Sequence, residues 1–238
     1  CDSGEGVLCV VKNYEGDVMN FETAGEMAEM EDIDVAEVVV NDDVAVEDSL
    51  YTTGRRGVAG TIFVHKVAGA KAAEGADLDE VERVANKMID NVATMGVALT
   101  SCVTPDKGEP TFDLPDDEIE LGIGIHGEPG TERTDMMSAD EITDHLTERV
   151  LEDLDLDEGQ EILTMVNGMG GTPQSELFIL NRRLQEIVDD HGLETWDAWV
   201  GDYMTSLDMM GASITVAAVD EELKELLEAD ADTPALTV

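Results

Sequence analysis

ELGIGIHGEPG, residues 120–130, is the stretch on which the fold turns. Leu and Ile run into a histidine, His126, that has glycines on both sides and a proline shortly after. A short apolar run bounded by turn residues reads as a buried strand, here 119–125. In an open α/β sheet the carboxyl end of such a strand faces the crevice that holds ligands. Glycines beside the ring let a small molecule approach without side-chain obstruction. A neutral imidazole can then act as nucleophile or proton carrier. A turn histidine with a purely structural role fits the same letters, and the residues alone leave both readings open.

Gly122, Gly124 and Gly127 also match GxGxxG. A dinucleotide site needs a helix to begin inside that motif, so that its N-terminus meets the pyrophosphate. Here Pro129 and a loop reaching to residue 137 delay the helix, which argues against a nicotinamide cofactor.

Outward from this stretch, apolar runs alternate with helical periodicity. Strands are expected at 6–11, 34–42, 96–101, 161–169, 194–202 and 212–219. Helices are expected at 18–31, 60–74, 77–95, 138–154 and 175–192, with an acidic helix closing the chain. Asp77 with Glu80, and Ser138 with Glu141, have capping-box spacing. The alternation predicts βαβ units and an α/β fold of two lobes, with mostly parallel or mixed sheets flanked by helices. Residues 105–117 carry three prolines and suggest a boundary between lobes at 1–104 and 105–238.

The 238 residues carry 56 Asp and Glu against 13 Lys and Arg, a net charge of −43. Such a field repels phosphate backbones and anionic lipid, which argues against nucleic-acid and membrane partners. No apolar run has membrane-spanning length. A cytoplasmic location is expected, and self-repulsion on this scale eases in concentrated salt, so a salt-rich cytoplasm is predicted. Cys1, Cys9 and Cys102 lack the spacing of a disulfide framework or a zinc site, and no metal site is read.

KNYEGD, residues 12–17, follows the first strand. In a chain so poor in cations, Lys12 reads as a site residue rather than surface decoration. Asp17 reads as a general base or hydroxyl-orienting group, or as the N-cap of helix 18–31. Cys9 reads as a small buried hydrophobe, His65 as a packing residue, His145 as exposed, and His191 as a cation at a helix C-terminus. NGMGGTP, residues 167–173, lacks the GK[ST] ending of a Walker loop and reads as a tight turn.

Five segments, KNYEGDVMNF (12–21), GRRGVAGTIFVHKVAGA (54–70), ELGIGIHGEPG (120–130), VNGMGGTP (166–173) and YMTSLDMMGASITV (203–216), together resemble the DhaK family of dihydroxyacetone kinase subunits. The resemblance spans essentially the whole chain. It implies that His126 forms a covalent hemiaminal with the C2 carbonyl of dihydroxyacetone. It further implies that Lys12 contacts substrate and that Asp17 is catalytic. No cofactor is implied on this chain. ADP or ATP, with Mg, is expected on a partner subunit of the DhaL type, recharged by a phosphotransferase protein of the DhaM type, and the family habit is a homodimer. The family pattern also has a Gly-rich, His-containing N-terminal segment with no counterpart here, so a fragment or truncated form is expected. An alternative within the family is a regulatory coactivator that binds dihydroxyacetone without phosphorylating it.

Overall fold

A computed structural model describes residues 2–46, 54–127 and 130–238. The elements, in chain order, are β1 (Val7–Lys12), α1 (Glu15–Glu29), β2 (Val35–Val40), α2 (Thr61–Ala73), α3 (Leu78–Ile89), β3 (Val92–Ala98), β4 (Glu118–Leu121), β5 (Glu132–Asp135), α4 (Ala139–Leu154), β6 (Glu161–Gly168), α5 (Gln174–Asp190), β7 (Glu194–Gly201), β8 (Gly211–Ala218) and α6 (Glu221–Glu228).

Strands β1 and β2 form a small parallel sheet joined by α1. The other six strands form a sheet in the order β5-β4-β3-β8-β6-β7. The expected mixture of strand directions is present, with parallel pairing in the minority. In the larger sheet β6–β7 is parallel and the other four pairings are antiparallel. The βαβ reading therefore holds for β1-α1-β2 and β6-α5-β7, whereas α2, α3 and α4 join strands that are not paired with each other and the other connections are loops.

Alternation along the central strands fixes two faces. Ile162 and Val166 of β6 join Ile214 and Val216 of β8 and the apolar stripes of α4 and α5. Leu163 and Met165 point the other way, into a core made by α2, α3, α6 and the β2 residues Val38 and Val40. All residues of β3 and β8 are buried. Strand β3, which precedes residue 105, lies at the middle of the six-stranded sheet, so 104/105 does not separate the sheets.

Several boundaries differ from expectation for local reasons. Helix α3 ends at Ile89 and β3 begins at Val92, because β-branched Val92 and Thr94 suit the strand and are buried there. Strand β5, with the polar sequence ERTD, gives no apolar signal and forms as the edge partner of β4. Both predicted helix starts hold. Asp77 accepts from the Glu80 amide at 3.0 Å, and Ser138 with Glu141 makes a reciprocal capping box. Residues 47–53 and Glu128-Pro129, part of the motif and of a loop read from sequence, lie outside the described residues.

Candidate active site

The ELGIGIHGEPG stretch is not a strand running to 125. Strand β4 stops at Leu121, where Gly122 takes φ +71, and Leu121 pairs with Glu132 of β5. His126 therefore sits in the connection between two antiparallel strands rather than at the end of a parallel one. The Thr131 amide closes this connection by donating to the Leu121 carbonyl at 2.8 Å. Ile123 and Ile125 are buried, while the intervening glycine carries no side chain and the His126 side chain is exposed. Ile123 packs with Ala98, Cys102, Met169 and Met209, and Ile125 packs with Tyr14 and Val58. The loop is thus nailed down by its isoleucines, and its imidazole is left accessible.

The second loop comes from the small sheet. β1 ends at Lys12, and the Asn13 amide extends the parallel ladder by donating to the Val40 carbonyl at 3.0 Å. Tyr14, in extended conformation, is the N-cap residue of α1, so Asp17 is not the cap; it lies half-buried in the first helical turn. An acidic side chain there also suits the positive end of the helix dipole. Tyr14 is the residue that sequence reasoning passed over. It is 7% exposed and meets the His126 ring edge-on, with centroids 4.6 Å apart and planes at 72°. The Lys12 ammonium stands 6.0 Å from the same tyrosine ring. Tyr14 therefore joins the Lys12–Asp17 loop to His126. An aromatic directly after the Lys-Asn pair at a strand end was the available signal.

A third segment, 54–57, touches both loops. The Asn13 side-chain amide donates to the Arg55 carbonyl at 2.7 Å. Gly57 lies so close to the first loop that a Cβ there would fall 2.8 Å from Lys12 Cα and 2.9 Å from the Asn13 nitrogen. Arg56, 1% exposed, donates through Nε to Asp43 at 2.7 Å and through Nη2 to the Gly122 carbonyl at 2.6 Å. Burial, against the pull of Arg56, pushes the Asp43 carboxyl up to about 6. Neighbouring Asp42, also buried, accepts from the amides of Val58 and Gly60, each at 2.7 Å.

The remaining candidates fall elsewhere. His65 is exposed on α2 rather than packed in a core, yet its neighbours are dense enough that burial first, and Lys12 second, push its imidazole below the usual range. It lines a groove of about 650 Å³ together with Val7, Leu8 and Leu78, and none of the residues 12–17 or 122–127 lines that groove. Cys9 is half-buried, not buried, and burial followed by Glu37 pushes its thiol up. His145 is half-buried, and His191 follows α5 with its ring 3.2 Å from Glu148. The 167–173 turn is held by Asn167, which accepts from the amides of Tyr203 and Met204. Among the described residues, no group of three or more His, Cys, Asp or Glu is arranged to hold a metal, and no helix is long and apolar enough to cross a membrane.

Comparison with known proteins places this geometry in a family. The model of the Dak1 domain matches residues 1–235. The dihydroxyacetone-binding subunit DhaK of a PTS-dependent dihydroxyacetone kinase from Listeria innocua is 48% identical over 233 residues, covering 98% of this chain and 71% of the relative. Among solved structures, a dihydroxyacetone kinase operon co-activator, DhaQ, superposes with a TM-score of 0.90 at 34% identity, covering 98% of this chain and 72% of that one. The dihydroxyacetone kinase of C. freundii gives 0.88 at 33% identity, over 98% of this chain and 42% of that one. With residues 1–235 matched by the family model and the fold shared with solved relatives, the chain belongs to the Dak1 family.

Proposed function

We propose that this chain is the dihydroxyacetone-binding subunit of a dihydroxyacetone kinase, with His126 as the group that captures substrate. The observation that carries the reading is the Tyr14–His126 edge contact, which joins the Lys12–Asp17 loop to the one exposed imidazole of the ELGIGIHGEPG stretch. A neutral ring nitrogen attacks C2 of the ketone. The N–C2 bond forms as the C=O π bond breaks, the oxygen takes up a proton, and the other ring nitrogen gives one up. Nothing leaves, so the step is a reversible addition. Glycerol has hydroxyls but no carbonyl and cannot be held this way. Selection thus rests on chemistry, and the captured triose presents a fixed terminal hydroxyl for in-line transfer, where positioning supplies much of the rate.

In this reading Lys12 donates to a substrate oxygen and Asp17 accepts the proton of the attacking hydroxyl. The donor is a nucleotide carried with Mg by a DhaL-type partner subunit, recharged through a DhaM-type protein, and the chain works as a homodimer. The name of the Listeria innocua relative supports the kinase assignment. The likeness to the co-activator supports a second reading, in which the triose is bound and sensed without turnover.

Intact-mass spectrometry with dihydroxyacetone separates the possibilities when paired with a turnover assay. The wild-type chain should gain one triose, and His126→Ala should not. With an ADP-bearing partner subunit and its phosphotransferase, dihydroxyacetone phosphate should accumulate. Asp17→Asn should keep the adduct and lose turnover. Adduct without product from the wild-type chain would favour the sensor, and an adduct in His126→Ala would remove His126 from the mechanism.

A further inference from the structure

We infer that Arg56, held by Asp43, is a positioning residue that sets His126 against the Lys12–Asp17 loop. The inference deepens the proposed function and rests on it for its catalytic meaning. The geometry begins at Gly122, four residues before the imidazole. Its amide donates to the Gly96 carbonyl of β3 at 2.7 Å, and its carbonyl accepts from Arg56 at 2.6 Å. Both backbone groups of the first loop residue are therefore fixed from opposite sides. The positive φ of Gly122 admits this bend, and a Cβ there would fall 2.6 Å from Ala45 Cβ.

Arg56 is itself aimed from two sides. Asp43 takes Nε and Nη2 of the guanidinium at 2.7 and 2.6 Å, and the Asp43 amide donates to the Arg56 carbonyl at 3.1 Å. The segment carrying Asp43 is hooked to β3, with the Thr94 amide donating to Asp42 at 2.7 Å and the Val44 amide to Thr94 at 2.9 Å. The neighbouring carbonyl, that of Arg55, holds Asn13 beside Lys12. Segment 55–56 thus grips one loop with a carbonyl and the other with a guanidinium.

Stability alone gives weak reason to bury such an ion pair, since its desolvation penalty rivals the attraction it gains. A planar guanidinium, in contrast, serves acceptors lying in different directions at once, which a lysine ammonium on a flexible stem does not reproduce. The arrangement fits a part whose task is geometry.

The test uses the full chain in concentrated salt and compares wild type, Arg56→Lys, Arg56→Met and Leu184→Ala, the last a core change in α5. The first readout is the His126 ring-proton NMR signal without ligand, which is displaced by the Tyr14 ring beside it. The second is the dissociation constant of dihydroxyacetone. Both Arg56 variants should move the His126 signal and weaken binding by about tenfold or more, given how sharply small misplacements act. Leu184→Ala should lower the melting temperature while leaving both readouts unchanged. Should Arg56→Met fail to fold, Arg56→Lys decides. A His126 signal in Arg56→Lys that coincides with wild type overturns the positioning role, whatever the chain binds. Absence of an adduct in wild type overturns the functional reading instead, and the ring signal still judges Arg56.

Discussion

The two βαβ units of this chain, β1-α1-β2 and β6-α5-β7, share one topology and differ in what they bury. Helix α5 buries Leu177, Leu180, Leu184, Ile187 and Val188, and β6 is buried along all but its first residue. Helix α1 buries nothing, leaves Met19 and Met27 exposed, and runs beside strands that are half-buried for most of their length. The apolar letters of GVLCVV and EILTMV look alike. One unit is scaffold. The other is a carrier whose Tyr14 meets the His126 loop, and its own loop is fixed by segment 54–57 rather than by a core of its own.

The largest effect on stability should come from breaking the link between these regions. Arg56→Met leaves Asp43 buried without its partner and should cost about 3–5 kcal/mol in chemical denaturation. Leu184→Ala, inside the scaffold unit, should cost about 2–5 kcal/mol. Its counterpart in the carrier, Met27→Ala, removes an exposed side chain and should change stability by no more than about 0.5 kcal/mol. Equal losses for Leu184→Ala and Met27→Ala would erase the distinction between the two units.

A separate effect concerns pH. Asp43 is pushed up to about 6, from an ordinary carboxylate value of 3.8. Between those values the folded chain holds a proton on Asp43 that the unfolded chain has released. Stability should therefore fall as pH rises across that window, and the contribution should be absent in Asp43→Asn. Subtracting the melting curves of the two proteins isolates it from the titration of the other carboxylates. A difference that stays flat from pH 4 to 6 would contradict the burial assigned to Asp43.

Small effects are also expected in the charged shell. Arg83, Lys87, Arg133, Arg182 and Arg183, and the buried Lys224, each serve two carboxylates. Cations this scarce leave most of the acidic shell self-repelling, so the melting temperature should rise with KCl as repulsion is screened. Arg182→Ala, at an exposed pair, should cost no more than about 1 kcal/mol. A fold already at full stability in dilute buffer would speak against salt adaptation.

Much of this was legible in the letters, because helix and strand periods differ and caps have fixed spacing. Ser138 and Glu141 marked a helix start, and His126 and Lys12 stood out as a bare imidazole and a rare cation. What was not legible is instructive. Strand β5 has no apolar alternation, since an edge strand of polar residues is specified by its neighbour. Strand direction was misweighted toward parallel because local patterns say nothing about whether a chain returns by hairpin or crossover. Tyr14 and the Arg56–Asp43–Gly122 link depend on contacts between residues far apart in sequence, with Arg56 and Gly122 separated by 66 positions. GRRG in a cation-poor chain was the hint that an arginine, Arg56, had work to do in the interior.

The most direct measurement is carbon NMR of dihydroxyacetone labelled with carbon-13 at C2, added to the wild-type chain and to His126→Ala. Capture by the imidazole predicts that the ketone signal gives way, in wild type alone, to that of a tetrahedral carbon bonded to nitrogen. A ketone signal that persists unchanged with the wild-type chain, or a tetrahedral carbon that also forms with His126→Ala, would contradict the account.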